Sequence, residues 1–131
     1  MRLRREGFDC FVPHEQSGKL RELTSSEVFR VDVEGLRSAN VLLAWLDGPT
    51  VDDGTACEIG LFTQLVAGGD SHYRGIVGIV TDLRRHRRPG STVGDGTNLF
   101  VVGAIESVGV ICGSLDEAVE AMRSLHPPGV E

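Results

Sequence analysis

The stretch of residues 40–60 constrains the fold of this chain more than any other part of the sequence. It opens with an uninterrupted apolar run at residues 41–46, which is typical of a strand buried on both faces. Two turn sequences follow, Asp47-Gly48-Pro49 and Asp52-Asp53-Gly54, and the next residues, 55–58, have the character of a helix start. A buried strand that passes through a loop into a helix is the building unit of an α/β fold.

The loop and the first turn of its helix carry four carboxylates: Asp47, Asp52, Asp53 and Glu58. In open α/β sheets, ligands bind in the crevice at the carboxyl ends of the strands. We therefore expect a ligand site at the end of this strand. Thr81 and Asp82 follow another apolar run, residues 76–80, and are expected at the same edge of the sheet.

Glu58 has two interpretations that the spacing does not separate. Thr55 and Glu58 have the spacing of a capping box, in which each side chain bonds the backbone of the other residue at a helix start. Alternatively, Glu58 is a nucleophile or base held over the strand end, with its negative charge favoured by the helix N-terminus.

The remaining pattern predicts an α/β fold with a parallel sheet. Trp45, inside the first apolar run, is expected in the core, with a platform for a ligand as the alternative. Residues 14–22 are predicted to form a loop, and the segment Thr24-Ser25-Ser26-Glu27 is predicted to supply the N-cap of a helix that runs to about residue 38. Strands are predicted at residues 8–12, 41–46, 76–80 and 109–112, and helices at residues 1–7, 55–67, 98–105 (helical or irregular) and 116–125.

Composition narrows the possible functions. The length of 131 residues fits one domain, residues 1–131, and the net charge of −6 argues against a nucleic-acid polymer as partner. No apolar run is long enough to span a membrane, and no signal peptide is evident, so we expect a cytoplasmic protein with no membrane partner. The three cysteines lack metal-site spacing, and we expect reduced, mostly buried thiols and no metal: Cys10, Cys57 and Cys112.

The segment Asp52-Asp53-Gly54-Thr55-Ala56-Cys57-Glu58-Ile59-Gly60 resembles the signature loop of the nucleoside 2-deoxyribosyltransferase family, Asp-x-Gly-Thr-Ala-x-Glu-x-Gly. A later block, Asn98-Leu99-Phe100-Val101-Val102-Gly103, is similar to an Asn-Leu block of that family. The resemblance covers most of the chain. It implies a flavodoxin-like three-layer fold, with a parallel sheet of strand order 2-1-3-4-5.

The resemblance also implies an activity, which is transfer of a 2-deoxyribosyl group between nucleobases through a covalent glycosyl-glutamate intermediate, as in purine and pyrimidine salvage. Glu58 is then the nucleophile, and Asp52 contacts and protonates the leaving base. The partners implied are a nucleoside or nucleotide, a free nucleobase and further copies of the chain in a homo-oligomer, with no cofactor. The implied substrate-binding residues are Asn40, Asp47, Asp53, Gly54 and Asn98.

Three features depart from the family pattern or point to another activity. The predicted order of elements at the beginning of the chain is a helix, Gly7, a strand and Pro13, and it lacks the family's first strand. We therefore expect an N-terminally shortened member. Asn40 stands where relatives commonly carry Asp, which leaves a catalytically impaired nucleoside-binding relative as one alternative. The basic residues 84–88 form a solvated loop or a phosphate-recognising arm, and the latter predicts hydrolysis of nucleoside 5′-monophosphates.

Overall fold

The computed structural model describes residues 2–17, 24–82 and 96–125 of the chain. The chain is organised as two compact units, Met1–Ala39 and Asn40–Glu131, and each is described by itself. The basic cluster at residues 84–88 lies outside the described residues. The assignment of residues 1–131 to a single domain stays a prediction.

The first unit contains three helices, α1 (Arg2–Arg5), α2 (Pro13–Ser17) and α3 (Ser25–Ser38). An ion pair between Arg4 and Glu15, at 2.6 Å, ties α1 to α2. Thr24 is the N-cap of α3, within the segment predicted to supply it, and forms a full capping box with Glu27. The ring of Phe11 lies so close to α3 that a Cβ added at Gly35 would be 2.3 Å from it.

The predicted strand at residues 8–12 is wrong, because this segment has no regular secondary structure. A β-strand is stable only when a neighbouring strand accepts and donates its backbone hydrogen bonds. No second strand is present among the described residues of this unit, and the carbonyl of Cys10 instead accepts a hydrogen bond from Arg4 Nη2 at 3.0 Å. The predicted loop at residues 14–22 is wrong for residues 14–17, which belong to α2, and its remaining residues lie outside the described ranges. Pro13 begins α2 because proline is tolerated in the first turn of a helix.

The second unit alternates strands and helices: β1 (Val41–Trp45), α4 (Asp53–Ala67), β2 (Gly75–Ile79), α5 (Leu99–Val108), β3 (Gly109–Cys112) and α6 (Leu115–Leu125). In the described part of the chain the sheet has three strands in the order β1-β2-β3, all parallel. α5 passes into β3 without a loop, and Gly109 permits this because a Cβ there would lie 1.8 Å from the carbonyl oxygen of Ile76.

Helices cover both faces of this sheet. A Cβ added at Gly78 would meet Ile105 of α5, whereas one added at Gly75 would meet Leu125 of α6. Side chains three residues apart in a strand point to opposite faces, so α5 and α6 lie on opposite sides. α4 packs against α5. The core between these layers includes Leu46, Ile59, Phe62, Ile76, Val77, Ile79, Ile105, Ala118, Val119 and Met122.

The predicted α/β class is therefore confirmed, as a parallel sheet flanked by helices that is consistent with a flavodoxin-like fold. Three of the four predicted strands are present, and each begins and ends within one residue of its predicted bounds. The expectation that Trp45 is buried is wrong, because this residue is 59% exposed. Position 45 is the last residue of β1.

The cysteine prediction is confirmed only in part. All three thiols are free, but Cys57 is exposed, Cys10 is half-buried and only Cys112 is buried. Burial raises the pKa of both Cys10 and Cys112. None of the described helices is long and apolar enough to cross a membrane.

Candidate functional site

The site lies at the carboxyl edge of the sheet, where β1 and β2 end side by side. Trp45 is in register with Ile79, and the amide of Leu46 donates a hydrogen bond to the carbonyl of Ile79 at 2.8 Å. The loops that leave these strands therefore start next to each other. This brings Asp47 together with Thr81 and Asp82, although 34 residues separate Asp47 from Thr81.

Asp47 is the centre of a hydrogen-bonded group that we call the Asp47 cluster: Trp45, Asp47, Gly48, Thr81 and Asp82. Asp47 Oδ1 accepts from the amides of Thr81, at 2.6 Å, and Asp82, at 3.2 Å. Its Oδ2 accepts from Trp45 Nε1 at 2.7 Å and from the Thr81 hydroxyl. Asp82 Oδ2 in turn accepts from the Gly48 amide at 3.0 Å, so the two loops are joined in both directions.

These contacts keep Asp47 ionised. Partial burial raises the pKa of its carboxyl, but the hydrogen bonds from Thr81, Trp45 and Asp82 lower it more, to about 2. A carboxylate that accepts four hydrogen bonds from the protein has a structural task, which is to hold the β1 and β2 loops together. Its predicted contact with substrate stays a prediction.

The loop after β1 leads into α4, and Asp52 rather than Thr55 is the N-cap of that helix. Asp52 Oδ2 accepts hydrogen bonds from the amide of Thr55, at 3.0 Å, and from its hydroxyl, at 3.2 Å. Thr55 is thus the third residue inside the helix. The capping-box interpretation of Thr55 and Glu58 is wrong, because such a box requires its threonine at the N-cap.

Asp53 and Gly54 complete the first turn of α4. Asp53 Oδ1 accepts a hydrogen bond from the Gly54 amide at 2.8 Å. A Cβ at position 54 would lie 3.2 Å from Asp52 Oδ2, so glycine leaves room for the Asp52 carboxylate to fold over the helix start. Both Asp52 and Asp53 are exposed.

Glu58 is half-buried in the second turn of α4. Asp52, Thr55 and Glu58 follow one another at intervals of three residues, which places them along one side of the helix start. The favourable effect of the helix dipole on a carboxylate is concentrated in the first turn of a helix, and Glu58 lies in the second. The structure therefore brings Asp52, Asp53, Gly54 and Glu58 together at the start of one helix.

Asn98 is the N-cap of α5. Its Oδ1 accepts hydrogen bonds from the amides of Phe100, at 2.9 Å, and Val101, at 3.3 Å. α5 connects β2 to β3, so its first residue stands at the same edge of the sheet as the start of α4. The segment from 98 onward, predicted as helical or irregular, is a helix.

Asn40 is separated from these residues because it precedes β1 and so lies at the amino end of the strand. Its Nδ2 donates a hydrogen bond to the carbonyl of His72 at 3.0 Å and lies 3.2 Å from the His72 ring Nδ1. Asn40 and Asp47 lie at opposite ends of β1, and a five-residue strand spans about 16 Å. The predicted contact of Asn40 with substrate has no support in this position.

Trp45 was expected in the core from the sequence, but it lies exposed at this edge of the sheet. Apolar strand residues are usually core residues, and the sequence contains no signal for the hydrogen bond that Trp45 makes to Asp47.

Within the three described ranges, no group of His, Cys, Asp or Glu side chains could hold a metal ion.

Comparison with known proteins agrees with these observations. The family model described as nucleoside 2-deoxyribosyltransferase matches residues 1–100, a range that contains the whole segment 52–60 and Asn98. The crystal structure of a conserved protein from Enterococcus faecalis V583 is similar to this fold, with a TM-score of 0.63. The two chains are 22% identical, and the match covers 92% of this chain and 75% of the other, which supports the fold alone. No curated protein matches the sequence.

Proposed function

This chain belongs to the nucleoside 2-deoxyribosyltransferase family, and from that premise we propose that it transfers a 2-deoxyribosyl group from one nucleobase to another. The substrates are a deoxynucleoside and a free nucleobase, and no cofactor is required. The proposed active residues are Glu58 and Asp52 at the start of α4. Family membership supports the reaction class, and the local geometry supports the two residues.

In the proposed first step, a carboxylate oxygen of Glu58 bonds to the anomeric carbon of the sugar while the bond from that carbon to the base nitrogen breaks. The electron pair of the broken bond stays on the base, which takes a proton from Asp52. The transition state resembles an oxocarbenium ion, and a negative carboxylate beside it is stabilising. In the second step, a nitrogen of the incoming base attacks the anomeric carbon, frees Glu58 and returns a proton to Asp52.

The observation that carries this proposal is the capping of α4 by Asp52. The alternative explanation for the Thr55–Glu58 spacing was a capping box, and the geometry removes it. A glutamate at this point of the motif therefore needs a reason other than helix capping. The proposed nucleophile supplies that reason.

The other residues of the site have supporting roles in the proposal. Asp53 is adjacent to Asp52 and could replace it as proton donor, and Gly54 allows the Asp52 carboxylate to lie over the helix start. Asp47 holds the neighbouring loops, and Asn98 stands at the start of α5. In relatives the residue that corresponds to Asn98 reaches the pocket, in some from a neighbouring subunit, so we propose a homo-oligomer.

The decisive experiment compares the wild-type chain with Glu58→Gln. A deoxynucleoside is mixed with a second free base, and new nucleoside, free sugar and the intact mass of the protein are followed. We expect Glu58→Gln to abolish both turnover and the deoxyribosyl adduct and to change the melting temperature little, because Asp52 is the residue that caps α4. Glu106→Gln, the same change on the exposed surface of α5, is the matched control and should keep full activity.

Two results would redirect the proposal. If Glu58→Gln keeps turnover within a few-fold of wild type, Glu58 is not the nucleophile. If the wild-type chain releases free sugar without forming a new nucleoside, the activity is hydrolysis of the N-glycosidic bond. Comparing a nucleoside with its 5′-monophosphate then tests whether phosphate is recognised.

A further inference from the structure

Two helices of the second unit lack the charged outer side that its third helix has. The exposed positions of α6 carry ionised side chains: Asp116, Glu117, Glu120 and Arg123. By contrast, α4 has no charged residue from Ile59 to its end at Ala67, and α5 has only Glu106. A helix that presents one side to water ordinarily carries charged and polar residues on that side. The outer side of α4 and α5 therefore has the composition of a surface that another protein covers.

Large apolar side chains are open to solvent on this side of the unit. Leu61 of α4 is 42% exposed, and Leu99 and Phe100 at the start of α5 are 57% and 86% exposed. Among the described residues, Phe100 is the most exposed of the large apolar side chains. Exposed apolar groups that lie together mark interaction sites, whereas scattered single ones do not.

The seam between the two helices places a gap beside the Phe100 ring. Thr63 Oγ1 lies 3.5 Å from the carbonyl oxygen of Ala104, which fixes where α4 and α5 touch. Gly60 is three residues before Thr63, and Phe100 is four residues before Ala104. Both helices run in the same direction, so Gly60 and Phe100 lie about one turn before the contact, on the facing sides of their helices. A Cβ at Gly60 or at Gly103 would meet no described atom within 4 Å.

The two glycines have no explanation within the described part of the chain. Glycine weakens a helix relative to alanine. Gly75 and Gly109 are required by their own surroundings, because a Cβ would lie 2.5 Å and 1.8 Å from backbone oxygens. Gly60 and Gly103 meet no such obstacle, so their small size leaves space that a further molecule can enter. We call Gly60, Leu61, Leu99, Phe100 and Gly103 the α4–α5 surface.

We propose that a second copy of this chain docks on the α4–α5 surface, with the Phe100 ring of each copy in the gap at Gly60 and Gly103 of the other. A two-fold interface places one surface against itself, so that surface must carry both a projecting group and the space that receives it. It must also bring few like charges together, and in a chain of net charge −6 this surface includes no ionised side chain. The proposed homo-oligomer named no interface, and this inference supplies one without depending on the transfer reaction.

Sedimentation equilibrium of the full chain over a wide range of concentration is the first test, and we expect a dimer. Phe100→Glu should weaken dimerisation by about thirtyfold or more, the effect expected for loss of a central aromatic contact. The helix itself should tolerate the change, because an acidic side chain is favourable in the first turn of α5. Phe29→Glu, the same change at an exposed position of α3, is the matched control and should leave the dimer intact.

Gly103→Leu tests the gap rather than the ring. The new side chain fills space that is open in the single chain, so the helix content of the diluted monomer should stay unchanged or rise. Dimerisation should nevertheless weaken by at least about tenfold, because the partner's ring no longer has room. A misfolded variant would lose helix content, so this combination separates loss of the interface from loss of the fold.

Hydrogen exchange of wild type locates the interface without any substitution. We expect slower exchange in the dimer than in the diluted monomer for peptides that cover α4 and α5, and no difference for α6. This comparison uses the same chain in both states. It therefore reports which surface becomes covered.

Three results would overturn the inference. The first is a chain that stays monomeric at every concentration. The second is a dimer that Phe100→Glu and Gly103→Leu leave as tight as wild type, and the third is slower exchange that falls on α6 or the first unit instead of α4 and α5. Association is measured without substrate, so a dimer of this kind that shows no transfer would refute the proposed function alone.

Discussion

Asp47→Asn is the substitution whose effect on stability the structure defines best. The carboxylate accepts two backbone amides on Oδ1, and the Trp45 indole and the Thr81 hydroxyl on Oδ2. An asparagine that keeps its oxygen toward the two amides places its NH₂ group against the indole N–H. Two donors then face each other, and the hydrogen bond to Trp45 is lost together with the negative charge.

The size of the effect follows from the pKa of Asp47. A carboxyl group whose pKa falls from 3.8 to about 2 on folding stabilises the folded state by roughly 2.4 kcal/mol when fully ionised. Asp47 is only partly buried, and solvent screens its interactions, so the value must be reduced. We expect Asp47→Asn to lower the free energy of unfolding by about 1–2 kcal/mol at pH 7.

The pH dependence has a definite sign. Because the folded pKa lies below the unfolded one, the stabilisation is complete well above pH 3.8. It declines as the pH falls through 3.8 and disappears as the pH falls through about 2. At about pH 3, roughly half of the difference between wild type and Asp47→Asn should remain.

The assay is urea unfolding followed by circular dichroism at pH 7 and pH 3. Asp70→Asn, a change at an exposed aspartate of the same unit whose carboxylate accepts the His72 amide, is the matched control and should cost less than about 0.5 kcal/mol. Equal losses for Asp47→Asn at the two pH values would refute the reasoning, since they would show that ionisation of Asp47 is not the source. No loss at pH 7 would refute the cluster itself.

Two further predictions separate capping from chemistry at the helix starts. Asp52→Asn should keep the melting temperature, because asparagine caps a helix as well as aspartate does. It should slow release of the base, and the loss of rate should be smaller for better leaving groups. An equal loss of rate across leaving groups would point to Asp53 as the proton donor. Asn98→Ala should lower the free energy of unfolding, measured in urea, by about 1 kcal/mol, whereas Asn98→Asp should lower it little. If Asn98→Asp keeps its stability but loses transfer activity, the amide of Asn98 acts on substrate. If both variants keep full activity, Asn98 acts only as a helix cap.

Local sequence determined most of the second unit. Residues 41–46 form a strand because the apolar run is too short for a buried helix and ends in turn residues, and the same holds for residues 76–80. The start of α4 was predictable to within a few residues, but its cap was not. Asp52 and Thr55, three residues apart, are both good N-cap residues, and only the folded backbone, with φ −54° and ψ 135° at Asp52, decides between them.

Tertiary structure decided the features that depend on distant partners. Residues 8–12 were predicted to form a strand, yet they stay irregular because strand formation requires a neighbouring strand, which the described residues of that unit do not offer. The Asp47 cluster exists because the register of β1 against β2 places Asp47 beside Thr81, across 34 residues of chain. The same pairing holds the Trp45 indole at an exposed edge, where its sequence pattern had placed it in the core.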